Sequence, residues 1–356
     1  MNNFRRLTCI KISPVSNALT SFFSKQILVI MALLITTFLG FGIIIPVLPE
    51  IVPPVHLGWM LALYSAVSFF MSPVWGRISD RIGRRPVLMI GIFGFSVSFF
   101  MLAVSLDQYF WMYFSRILGG FFSGAVTSCA VAYVADITTE DERTKAMGLV
   151  GMSIGLGFIF GPAIGGILSV VNLAFPFYLS SALSLFTFVF VYLYLQESLS
   201  KEKRIERSRM AQPSRWTAFK GKLKYLYVLG FVVSFTLAGL EGTLQYFQSE
   251  RIGAGSFEIG MMFLISGIVG ALIQGGVVRR FIRKGEEPRY IGIGLALSAI
   301  GFFMLIFSNS FATAAAFLSI FAAGNALVRP CVTSLITQKT TVGQGVATGL
   351  SSSMDS

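Results

Sequence analysis

The chain has 356 residues, 54% of them hydrophobic and only 12% charged, with a formal net charge of +12 and a mean hydropathy of +0.75. That balance excludes an ordinary soluble domain, in which about a quarter of the residues are charged. The basicity does not call for nucleic acid. Of the 28 Lys and Arg, all but Arg116, Arg251 and Arg329 fall in the N-terminal tail and in alternate loops, the pattern of a multi-pass membrane protein with a cytoplasmic N-terminus.

Windows of about 20 apolar residues suffice to cross roughly 30 Å of hydrocarbon. They predict helical spans at 26–49, 57–74, 87–105, 109–134, 146–170, 174–195, 225–248, 256–279, 289–308 and 311–338. Residues 1–25 read as a cytoplasmic tail, and the first span is too long for a removed signal peptide. The loop after the second span is Gly76-Arg-Ile-Ser-Asp80-Arg81-Ile-Gly83-Arg84-Arg85-Pro. Its glycines permit a tight exit from the helix, Asp80 supplies a carboxylate, and Arg81, Arg84 and Arg85 supply donors. Topology accounts for the arginines but not for the embedded acid.

Arg116 lies inside the fourth span. It either faces a wet cavity or a partner, or snorkels to the outer interface about two turns away. The fifth span carries seven glycines and a proline between Gly148 and Gly166. Gly157, Gly161 and Gly165 recur every fourth residue and form a stripe without side chains, against which another helix can pack closely. Pro162 lacks the N–H that would bond the Phe158 carbonyl, which predicts a bend there. Residues 196–224 form the longest hydrophilic stretch and read as a linker between a six-helix bundle at 26–195 and a second bundle at 225–356. Part of this linker, 215–224, is either a basic amphipathic helix on the membrane surface or solvated chain.

In the seventh span Glu241 is the only carboxylate deep in any span, about 25 Å beyond Lys224 at 1.5 Å per residue. A carboxylate so placed is suited to exchanging protons and to balancing a cationic molecule; a permanently protonated acid bonded to a neighbour is the alternative. The tenth span offers Asn325 and Arg329, four residues apart on one helical face. Arg329 is also a candidate ion-pair partner for Glu241. Phe158, Phe160, Gln245, Tyr246 and Phe247 are candidate liners of a cavity for flat lipophilic molecules. Cys9, Cys129 and Cys331 are too few and scattered for a disulfide framework or a metal site, and His56 reads as a solvated loop residue. No phosphate-binding loop, metal cluster or nucleophile–base set calls for a cofactor or an enzymatic reaction.

The halves repeat at about 200 residues: Gly76 is echoed by Gly276, Gly124 by Gly324, and Ala146-Met-Gly-Leu by Ala347-Thr-Gly-Leu. An eleventh span begins near Gly345, so the sequence reads as part of a twelve-helix protein. The 76–85 loop resembles the GxxxDRxGRR signature of the major facilitator superfamily. Gly157-Phe-Ile-Phe-Gly161-Pro162-Ala-Ile-Gly165-Gly166 resembles the antiporter motif of its proton-coupled drug exporters. The resemblance implies an all-α membrane protein of two pseudo-symmetric six-helix bundles.

It further implies that Asp80 sits near the N-terminus of helix 11, that Arg84 reaches Asp136, and that this cluster latches an inner gate. In the second-half copy of the loop, Gly276–Lys284, Arg279 or Arg280 stands in place of the aspartate, which predicts asymmetric latching. For Arg116 the resemblance implies a part in proton coupling, and for Glu241 the place of a glutamate in quinolone and multidrug exporters. Several of those exporters carry an acid where this chain has Asn325. The expectation is a monomeric exporter in the inner membrane of a bacterium, exchanging lipophilic, cationic drugs for protons. The alternatives are an exporter of sugars or other metabolites and a non-transporting membrane receptor.

Overall fold

The computed structural model describes residues 25–199, 223–278, 280, 282 and 285–339; the tail, most of the linker, Arg279 and the eleventh span lie outside the described residues. Among the described residues, ten helices are long and apolar enough to cross a membrane. They are α1 (Lys25–Ile51), α2 (Pro54–Ile82), α3 (Arg84–Val104), α4 (Tyr109–Ile137), α5 (Glu140–Ser169) and α6 (Phe175–Tyr194), then α7 (Lys224–Ile252), α8 (Ser256–Leu272), α9 (Glu287–Met304) and α10 (Phe311–Lys339). Each predicted span is a helix. Several run past their apolar windows: α2 continues through Arg77, Asp80 and Arg81, and α5 begins within the polar run that precedes its glycines. The eighth span departs from regularity, since after Leu272 the chain widens into a π-helical turn, Ile273–Val278, around Gly275 and Gly276.

The main buried cluster is drawn from residues 29–195, and two smaller ones from residues 227–336. Lipid offers no hydrophobic reward for helix association, so small residues and hydroxyl groups join the helices. Ser96 of α3 and Ser181 of α6 each donate to the other's carbonyl, at 2.8 and 2.9 Å. Thr36 of α1 and Thr187 of α6 bond at 3.0 Å, and Trp75 of α2 donates to the Phe121 carbonyl of α4 at 2.8 Å. Alternate turns put Arg77, Arg81, Arg84, Arg85, Arg143 and Lys145 at one end of the helices, the basic end. The turns joining α1 to α2 and α7 to α8 mark the far end. α5 is the main bridge between the first six helices and the last four, packing on α1 on one side and α8 on the other.

Candidate functional site

Glu241 lines a small cleft of about 60 Å³ together with Phe41, Ile44 and Ile45 of α1, Leu57, Leu61 and Ser65 of α2, and Ala238 of α7. One carboxylate among aliphatic and aromatic walls can hold a flat apolar molecule and offer it a single charge. Phe158 of α5 stands behind this wall, its ring 5.6 Å from that of Phe41 and 5.4 Å from that of Phe38. Gln245 and Tyr246 do not line this cleft. One turn further along α7 they face the far end, where Gln245 Nε2 donates to Ser256 Oγ at 3.4 Å and Tyr246 donates to the Val52 carbonyl at 2.5 Å.

The Arg329 guanidinium donates to Ser234 Oγ at 3.4 Å, and Ser234 lies two turns along α7 from Glu241, on the order of 10 Å along the helix axis. The Arg329 charge also acts on Glu241. Asn325 donates back to the Phe321 carbonyl of its own helix at 3.5 Å.

Arg116 meets neither a wet cavity nor the interface. It is 1% exposed, with its guanidinium 5.2 Å from the ring centre of Phe99 and 5.8 Å from that of Tyr64. Nε and Nη2 are buried without hydrogen-bond partners. The two aromatic faces supply the negative quadrupoles that make such a site tolerable. Arg116 thus lies in the core of α2, α3 and α4 and does not line the Glu241 cleft, although the Tyr64 ring beside it is 5.6 Å from that of Phe41, which does. His56 is engaged as well, with Nδ1 2.9 Å from the Tyr113 hydroxyl and its ring stacked at 4.4 Å on Tyr109.

At the basic end the arginine cluster assembles as the motif suggests, with two differences. Arg84 Nη2 pairs with Asp80 Oδ1 at 2.8 Å and Nε with Asp136 Oδ2 at 3.1 Å, while Nη1 donates to Ser79 Oγ. The first difference concerns the helix exit. Gly76 lies within α2, and the sharp turn is made by Gly83, whose φ of 109° suits a residue without a Cβ. The second concerns Arg81, which is exposed and outside the ion-paired cluster, while Arg85 turns to the Tyr192 carbonyl at 2.7 Å.

Sequence reasoning missed Glu197. Its carboxylate accepts the backbone N–H groups of Arg84 at 2.8 Å and Arg85 at 3.2 Å, capping α3, whose own N-cap residue Gly83 has no side chain to do so. Ser198 donates to Asp136 at 3.4 Å and Tyr133 to the Gln196 carbonyl at 2.7 Å. The first residues after α6 are thereby tied to the arginine cluster. The available signal was an acid just after a span whose neighbour begins with a bare glycine.

The glycines of α5 divide by face. A Cβ on Gly157 would stand 2.6 Å from Phe38 Cβ, one on Gly161 2.7 Å from the Leu39 carbonyl oxygen, and one on Gly165 3.0 Å from that of Ile43. The stripe therefore seats α1, within the first six helices. Contact with the other group falls to Gly166 and Pro162. A Cβ on Gly166 would collide with the Ser256 carbonyl, and one on Gly260 of α8 with the Pro162 carbonyl. α5 remains one helix through Pro162.

Residues 30–356 match the family model described as Major Facilitator Superfamily. The chain belongs to the major facilitator superfamily. This transporter is 32% identical over 339 residues to multidrug resistance protein 2 of Bacillus subtilis, covering 92% of this chain and 84% of that protein. It is 28% identical over 339 residues to the quinolone resistance protein NorA of Staphylococcus aureus, covering 94% and 87%. Two solved structures share the fold. One is the human organic anion transporter MFSD10 (TM-score 0.68, 23% identity, 93% of this chain and 89% of that one). The other is a bacterial homologue of the human lysosomal transporter Spinster, inward-facing and occupied (TM-score 0.70, 14% identity, 96% and 78%). The protein is a multi-pass membrane transporter and not an enzyme.

Proposed function

We propose that the protein exports lipophilic, cationic drugs across the cell membrane of a bacterium in exchange for protons, as a monomer. Its basic end faces the cytoplasm, as the distribution of Lys and Arg favours. Residues 26–195 and 225–356 act as two halves that rock about a site between them. The observation that carries this reading is Glu241, a lone carboxylate in an apolar cleft bounded by α1, α2 and α7. A proton and a cationic drug compete for such a group, so binding one releases the other, which is the elementary requirement for exchange. The apolar walls favour a lipophilic molecule over a sugar, which needs paired hydrogen-bonding groups. Relatives at about this identity carry multidrug and quinolone resistance in their names, which supports drugs as the substrate class. The arginine cluster then serves as the inner latch, Arg116 and Arg329 take part in proton coupling with Glu241, and Asn325 belongs to the substrate cavity.

The test is drug-dependent proton movement in sealed vesicles containing the full-length protein. Glu241→Gln is expected to reduce drug-driven proton movement at least tenfold while the protein stays folded. Transport and proton movement unchanged in that variant would remove Glu241 from the mechanism.

A further inference from the structure

The far end carries an acid to which the reading above gives no role. α1 finishes in Pro46-Val-Leu-Pro49-Glu50-Ile51. Each proline lacks the N–H that would bond the carbonyl four residues back, and the last carbonyls of any helix are orphaned. α8, in the other half, begins behind Gly255, which has no side chain to satisfy the first N–H groups. The two deficits meet. Glu50 accepts the Ser256 N–H, Ser256 Oγ donates to the Pro46 carbonyl at 2.6 Å, and Tyr246 donates to the Val52 carbonyl. The glycine contacts of α5 press on the same place, since a Cβ on Gly166 would strike the Ser256 carbonyl. Ser256 is 1% exposed, whereas Glu50 stands at the exposed rim.

A carboxylate at a helix N-terminus is favourable, but here two of them share one terminus. Glu258 reaches back to the Gly255 N–H at 2.9 Å. A Cβ on Gly255 would lie 3.3 Å from Glu50 Oε1 and 3.4 Å from Glu258 Oε2. Like charges at such spacing oppose each other, so the clasp holds the halves together without being permanent. Glu258 belongs to α8 and moves with it. Glu50 comes from the opposite half and is the charged contact among those that join the halves here.

We infer that Glu50 is the releasable element of a far-end gate: its carboxylate, from one half, holds the N-terminus of α8 in the other, and removing its charge shifts the protein toward a form open at that end. This rests on the alternating-access reading above, but its test needs neither drug nor gradient. Spin labels are placed at Val55→Cys and Asn309→Cys in the full-length chain, with Cys9, Cys129 and Cys331 replaced by serine, in lipid nanodiscs. Pulsed distance measurements then compare this protein with its Glu50→Gln form. The expected result is a roughly three- to tenfold rise in the ratio of the longer to the shorter distance, the scale of a charge lost from a helix terminus. An unchanged ratio overturns the inference, even if the variant melts at a lower temperature, because a merely structural role predicts only the latter. If Glu50→Gln does not yield monodisperse protein, Glu50→Ala removes the same carboxylate from the Ser256 N–H and is read in the same way. Drug-driven proton movement with an unchanged ratio sinks the gate alone. A shifted ratio with no drug-driven proton movement sinks the export reading alone.

Discussion

At the basic end the two halves solve one problem with different chemistry. In both, a helix starts behind a turn whose glycine has a positive φ, 109° at Gly83 and 101° at Gly285. In both, its first turn meets the penultimate residue of a long neighbour, Asp136 of α4 or Gln338 of α10. The first half sets a guanidinium between two carboxylates. The second sets Glu287 to accept Gln338 Nε2 at 2.8 Å and the Gly285 N–H at 2.6 Å, with Ser334 Oγ at 3.5 Å. A buried ion-paired cluster is costly to break and requires every member. A carboxylate that caps its own helix start and accepts a neighbouring amide is satisfied by neutral donors. The first arrangement suits a joint that must switch between two definite states, and the second a joint that stays shut.

Three substitutions test that contrast. Arg84→Ala strips the guanidinium shared by Asp80 and Asp136, and should cost about 3 kcal/mol in unfolding free energy and reduce export in vesicles at least tenfold. Glu197→Gln keeps the shape at the start of α3 but removes the charge. A loss of about 1 kcal/mol is expected, read as a lower melting temperature, with a partial loss of export because the residues after α6 no longer hold the cluster. Glu287→Gln should lower the melting temperature less than either, since neutral hydrogen bonds replace charged ones, and should leave export rates near wild type. A Glu287→Gln variant as impaired in export as Arg84→Ala would break the contrast between a switching joint and a fixed one.

Helix existence was legible because about 20 apolar residues in a row can do little else in lipid. Helix ends were less so. α2 carries Arg77, Asp80 and Arg81 beyond its apolar window, and hydropathy does not register polar turns that continue a helix. The Arg84–Asp136 pair was legible through a motif. The Glu197 cap was not, because it depends on backbone N–H groups more than a hundred residues earlier and on which turn lies beside which. The α5 stripe announced a close helix neighbour but not its identity, since absent side chains carry no partner preference. The partners of Arg116 were not legible for a related reason: they are two aromatic rings from other helices, and composition cannot tell that these rings converge on it.

The two sets of α5 glycines also have a mechanical meaning. A Cβ on Gly148, Gly151 or Gly155 would meet no described atom within 4 Å, whereas Gly157, Gly161, Gly165 and Gly166 are pressed against α1 and α8. The glycine contacts of the helix thus lie in its far-end half, while Ala146, Val150 and Ser153 in the other half are buried in the core of the first six helices. Gly148 lies about 20 Å along the axis from Gly161 at 1.5 Å per residue. A tilt of roughly 15°, typical of rigid-body switching, would carry that end of the helix about 5 Å. If the halves rock as proposed above, a rotation about the packed glycines thus appears at the basic end as a displacement of several ångströms.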